Sequence, residues 1–160
     1  MTRAVLSIGS NLGDRLGYLR AAVAGFAAEL VAVSPVYETA PWGVTDQDDF
    51  LNAVLVVAGD LGPWDWLRRG QELENASGRV RTLRWGPRTL DVDVVTVDGV
   101  TSDDPELLLP HPGAAERATV LVPWLDVEPD AVLPGRGRVA DLVAGLDLGG
   151  VERRDDLSLT

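Results

Sequence analysis

RVRTLRWGPRTLDVDVV, residues 79–95, falls into two halves. The first holds Arg79, Arg81, Arg84 and Arg88 with Gly86 and Pro87, and it reads as a loop. The second alternates apolar and polar residues. Leu90 to Val97 therefore reads as a strand, closed by the turn signal Asp98-Gly99. Upstream, Leu61-Gly62-Pro63 opens a helix, with Pro63 suited to its first turn and Gly78 to its C′ end. Phe50 to Ala58 is the strand before that helix. Residues 39–49, TAPWGVTDQDD, form a polar loop, and Leu30 to Glu38 is an earlier strand. Leu16, Leu19, Val23, Phe26 and Leu30 recur at helical spacing after Leu12-Gly13-Asp14, where Asp14 is the N-cap. Residues 3–8, RAVLSI, are the first strand.

The order is thus β-α-β-β-α-β, the split β-α-β plan of a ferredoxin-like sheet. The fold class is α+β, with helices packed on one side of a mainly antiparallel sheet and additional C-terminal strands and helices. Those additions comprise a segment to Pro110-His111-Pro112, a helical turn from Gly113 to Arg117, an apolar stretch Val120–Leu125 and a helix around Arg138–Ala144. The last ten residues are expected to fray. No repeat or linker breaks the chain, so residues 1–160 read as a single domain.

Composition narrows the chemistry. Hydrophobic content of 46% and charge of 24% are ordinary globular values. No cysteine occurs, which removes disulfides and thiol nucleophiles. His111 is the one histidine, which removes a multi-histidine metal site. All 14 basic residues are arginine, which removes a P-loop lysine and Schiff-base chemistry. No apolar run approaches the roughly 18 residues of a membrane span, and the N-terminus lacks a signal-peptide core. A soluble cytoplasmic protein is expected. Net charge of -11 argues against partners that are polyanions, so neither nucleic acid nor a membrane surface is expected.

Within that acidic chain, residues 68–88 hold six arginines against Glu72 and Glu74, a local balance of +4. Guanidinium forks match phosphate oxygens and keep their charge. Asp91 and Asp93, two apart on a strand, project to one face. Their repulsion is relieved by a cation, and all-oxygen ligands suit Mg²⁺, which borrows further ligands from phosphates. Carboxylates beside such arginines are what polyphosphate transfer requires. The alternatives are a solvent-facing strand edge for the aspartates and surface ion pairs for the arginines. Trp85 either covers a flat ligand or anchors its loop.

Four stretches together resemble a known family, the 6-hydroxymethyl-7,8-dihydropterin pyrophosphokinases. Arg84-Trp85-Gly86-Pro87-Arg88-Thr89-Leu90-Asp91-Val92-Asp93-Val94-Val95 is similar to its signature. Ile8-Gly9-Ser10-Asn11-Leu12-Gly13-Asp14-Arg15, Phe50-Leu51-Asn52-Ala53, and Pro110-His111-Pro112 with Arg117 follow the family's order, over about residues 3–126. The resemblance implies transfer of pyrophosphate from ATP to the pterin hydroxymethyl group, releasing AMP, in folate biosynthesis, with two Mg²⁺ ions. It implies metal binding by Asp91 and Asp93 and catalysis by Arg79 and Arg88. Nucleotide contacts would fall to Gln71, Glu74, Arg81, Arg84, His111 and Arg117. The pterin would meet Asn11, Thr39, Ala40, Trp42, Phe50, Asn52 and Trp85, with Phe50 stacking on the ring. Thr119 stands where relatives often carry a second aromatic ring.

Apart from the resemblance, Gln71 and Glu74 also read as a solvated helix face, His111 as structural, and Phe50 as core. Asn52 in an apolar run is more telling, since a buried amide needs partners. Two other functions compete. A metal-dependent nucleotidyltransferase would use the same carboxylates, and an RNA-binding module would use the same fold. ATP and the pterin are the expected partners, and the protein is expected to be a monomer.

Overall fold

The computed structural model describes residues 2–40, 48–78 and 89–160. The elements run β1 (Thr2–Ser10), α1 (Arg15–Gly25), β2 (Leu30–Val33), β3 (Tyr37–Thr39), β4 (Phe50–Gly59), α2 (Pro63–Ala76) and β5 (Asp91–Val97). Then follow β6 (Ser102–Asp104), β7 (Leu107–Leu109), α3 (Ala118–Val127), β8 (Val132–Leu133), β9 (Gly137–Arg138), α4 (Val139–Ala144) and β10 (Val151–Arg153). Among the described residues the main sheet has the order β10-β3-β4-β1-β5, with β2 also on β4. All these pairings are antiparallel, and β4 lies between β3 and β1. That order is compatible with the expected split β-α-β plan.

The caps are those expected. The Asp14 carboxylate accepts from the Gly17 N–H at 3.1 Å and starts α1. Pro63 opens α2, and Gly78 follows its end with φ +77°, a conformation glycine adopts without strain.

Alternation along the strands sorts the core into two layers. Leu6 and Ile8 of β1, Leu51, Ala53 and Leu55 of β4, and Val92 and Val94 of β5 pack under α1 and α2. Leu19, Ala22, Val23, Phe26 and Trp66 close that layer. Val5, Val54 and Val95 face the other way, beneath Val120, Leu121 and Trp124 of α3 and Val139 of α4. The expectation of helices on one side only is therefore corrected. The physical reason is visible in β4, where Val54-Leu55-Val56-Val57 is apolar at both parities, as a strand buried on both faces must be.

Three further expectations change. Leu30–Glu38 is two strands, interrupted at Ser34-Pro35, because proline cannot donate to a ladder. Phe26 and Leu30 lie beyond the end of α1, although Phe26 is fully buried. The last ten residues, expected to be loose, are tied to the sheet and core. Val151 to Arg153 pairs with Thr39 to Tyr37, Arg154 N–H donates to the Val36 carbonyl at 2.8 Å, and Leu159 is buried. Among the described residues no helix is long and apolar enough to cross a membrane.

Candidate active site

The α3 layer covers only part of its sheet face. Where it stops, the face turns polar. Asn52 of β4 pairs with Gly9 of β1, which pairs with Asp91 of β5. In the next row stand Val54, Ser7 and Asp93. Beyond Asn52, β3 adds Tyr37 opposite Asn52 and Thr39 opposite Phe50. These rows floor a cleft whose flanks carry Thr39, Ala40, Phe50 and Asn52 on one side and Asp91 and Asp93 on the other. Arg117, Thr119 and Val120, from the start of α3, complete it.

The Asn52 side is tightly built. Asn52 and Thr39 are buried, and Asn52 Nδ2 donates to Thr39 Oγ1 at 2.7 Å. Gly9 lets Asn52 pack close, because a Cβ there would lie 3.0 Å from Asn52 Oδ1 and push the amide aside. Asn11, also buried, donates from Nδ2 to the Asp48 carbonyl at 2.9 Å. Arg15 Nη1 donates to the Asp49 carbonyl at 2.9 Å and pairs with Glu38 at 2.8 Å. The backbone entering Phe50 is thus held from two directions. Ala40 is exposed at the rim.

Asp91 and Asp93 are half-buried and share two clefts. A second one adds Gln71, Glu74 and Asn75 to the pair, and a third joins Asp93 to His111 and Pro112. Gln71 is exposed, whereas Glu74 is buried, and its Oε2 accepts from the Val92 N–H at 2.8 Å. Glu74 therefore locks α2 to the strand that carries both aspartates.

His111 is anchored through its own N–H to the Val95 carbonyl at 2.8 Å, and its Nδ1 accepts from the Gly113 N–H at 3.2 Å. Burial, and next the Arg117 charge, push its pKa down, while Asp91 pulls the other way. The imidazole is accordingly held neutral at physiological pH, with Nε2 carrying the proton.

Ser77 Oγ at the end of α2 and Thr89 Oγ1, two residues before Asp91, lie 2.8 Å apart. Arg79, Arg81, Arg84, Arg88, Trp42 and Trp85 lie outside the described residues. The described expected residues, apart from the buried Asn11, line three clefts that share Asp93, with Asn52, Phe50 and Thr39 on one flank of the first and the aspartates on the other. Sequence reasoning missed Ser7 and Gly9 as lining residues, although period-two alternation on β1 carries the signal.

Residues 5–129 match the family model of 7,8-dihydro-6-hydroxymethylpterin-pyrophosphokinase, HPPK. The chain belongs to the HPPK family. The 2-amino-4-hydroxy-6-hydroxymethyldihydropteridine pyrophosphokinase of Mycobacterium leprae is 53% identical over 149 residues, covering 86% of this chain and 78% of that protein. The protein of that name from Methylorubrum extorquens is 46% identical over 157 residues, covering 96% and 99%. A solved structure of Plasmodium falciparum HPPK-DHPS with pterin and p-hydroxybenzoate superposes with a TM-score of 0.69 at 14% identity, which is a likeness of fold. It covers 89% of this chain, and this chain spans 42% of that longer one. Every described row of the cleft lies within the part matched to the HPPK family, whereas β10, which borders Thr39, lies outside it.

Proposed function

We propose that this chain transfers pyrophosphate from ATP to the hydroxymethyl group of 6-hydroxymethyl-7,8-dihydropterin, releasing AMP, as a step of folate biosynthesis. The observation that carries the reading is the row Asn52–Gly9–Asp91, which sets a buried amide and a carboxylate pair on two flanks of one cleft. Phe50 stacks on the pterin ring. Asn52, oriented by Thr39, meets its donor–acceptor edge, and Asn11, Ala40, Trp42 and Trp85 complete that side.

The residues present fit Mg²⁺. Asp91 and Asp93 lie on one face of β5 and line the same clefts, where they would supply two oxygen ligands. That partial set suits a hard cation that takes its other ligands from water and phosphate. Asp91 and Asp93 would hold the two Mg²⁺ ions, which would supply charge neutralisation at the phosphate oxygens of ATP. Gln71, Glu74, His111 and Arg117 flank the nucleotide, with Arg81 and Arg84 as further phosphate contacts. Arg79 and Arg88 stabilise charge on the transferred group. The hydroxymethyl oxygen attacks the β-phosphorus in line, the bond to the α–β bridging oxygen breaks, AMP leaves and the hydroxyl proton is released. Positioning and electrostatics supply the rate.

The reading includes a one-domain, monomeric, cytoplasmic enzyme whose partners are ATP and the pterin. A nucleotidyltransferase would leave the Phe50, Asn52 and Thr39 flank without a purpose. Replacing either aspartate tests the reading. Asp91→Ala and Asp93→Ala should fold as the parent does and lose nearly all turnover. Full activity in either variant removes the carboxylates from the reaction.

A further inference from the structure

The floor of the cleft holds a polar group that the reading above leaves unused. Ser7 is only 9% exposed, and it lines the cleft. Among the described residues none hydrogen-bonds its hydroxyl. A buried hydroxyl in that state is unfavourable unless a ligand or water satisfies it.

Its neighbours indicate which ligand atom that is. In its row, Ser7 stands between Val54, which has no polar side-chain atom, and Asp93. A ligand reaching from the Asn52 flank to the carboxylate flank has to cross β1. On that face β1 offers the cleft Gly9, which has no side chain, and Ser7. Ser7 therefore supplies the polar side chain of the central strand to the middle of such a ligand.

In the reaction proposed above, on which this inference rests, the middle atom is the hydroxymethyl oxygen. It lies between a ring held at Asn52 and the phosphate that Mg²⁺ would hold at Asp91 and Asp93. We infer that Ser7 Oγ accepts a hydrogen bond from the hydroxymethyl O–H of the pterin. That bond fixes the rotation of the arm and turns an oxygen lone pair away from the sheet, toward the phosphorus. The near-attack geometry gained is of the kind that positioning contributes to catalysis. Ser7 removes no proton in this role.

Two ligands separate this contact from general packing: 6-hydroxymethylpterin, and 6-methylpterin, which lacks the oxygen. Both are titrated into the full chain with Mg²⁺ and a non-hydrolysable ATP analogue. Ser7→Ala should weaken the hydroxymethyl compound by about 5- to 10-fold, the range of one neutral hydrogen bond, and leave 6-methylpterin unchanged. Ser7→Cys, close to serine in volume and a weak acceptor, should behave as the alanine variant does. Affinity for the ATP analogue should not move. Equal weakening of both pterins, or weakening of neither, overturns the inference. Parent protein that binds neither pterin overturns the functional reading, and the inference with it.

Discussion

Asn52 and Asp91 stand in one cross-strand row, separated by Gly9 alone. Two strand spacings make that roughly 10 Å. The pairing register fixes the distance between the amide flank and the carboxylate flank, so no loop has to set it. A slip of one residue in β4 or β5 would turn Asn52 or Asp91 to the face packed under α1 and α2.

Gly9 keeps the row open. In Gly9→Ala the new Cβ would lie 3.0 Å from Asn52 Oδ1, so the amide has to move and strain its 2.7 Å bond to Thr39. The KM for the pterin should rise about 10-fold, the size of one misplaced buried hydrogen bond, with the KM for ATP unchanged. Steady-state kinetics with each substrate varied in turn gives the answer. An unchanged pterin KM would show that Asn52 does not need this place.

Glu74 offers a separation of roles. Its bond to the Val92 N–H is buried. Glu74→Ala leaves that donor unsatisfied and should cost about 1–3 kcal/mol of stability, read as a lower urea midpoint. Glu74→Gln keeps an acceptor and should lose less. If the glutamine variant is stable yet binds ATP weakly, the carboxylate also serves the nucleotide. If it binds ATP normally, Glu74 acts on β5 alone.

Tyr37 makes stability depend on alkaline pH. Its hydroxyl donates to Asp126 Oδ2 and so ties β3 to α3, directly opposite Asn52 in the ladder. Burial, and next that hydrogen bond, push its pKa up from 10.0 to about 12. The folded state favours the neutral phenol, so this contribution is complete below pH 10 and is lost as pH rises through about 12. Denaturation curves between those limits should fall with pH in the parent and fall less steeply in Tyr37→Phe. Parallel slopes in the two proteins would remove Tyr37 as the cause.

Much of this was legible in the sequence. The two-residue period of Asp91, Val92, Asp93 and Val94 gave both the strand and the shared face of the carboxylates, because alternation in a pleated strand is geometric. Asn52 stood out as an amide in an apolar run, and it is buried with a partner. What escaped has physical causes. The α3 segment, ATVLVPWLDV, holds a proline that masks its helical pattern, and its apolar face covers the second side of the sheet. Val151-Glu152-Arg153 is too short for a period, and long-range pairing with β3 decides its state. The ion pairs of Glu38 with Arg15 and Arg154 join residues far apart in the chain, which local patterns do not carry. The expected arginines and tryptophans at 42 and 79–88 lie outside the described residues.

The most direct measurement is AMP formation from Mg-ATP, with and without 6-hydroxymethyl-7,8-dihydropterin. AMP should form only when the pterin is present, in equal amount to pyrophosphorylated pterin. Folded protein that binds Mg-ATP but forms no AMP with the pterin would contradict it, leaving a polyphosphate site without this acceptor.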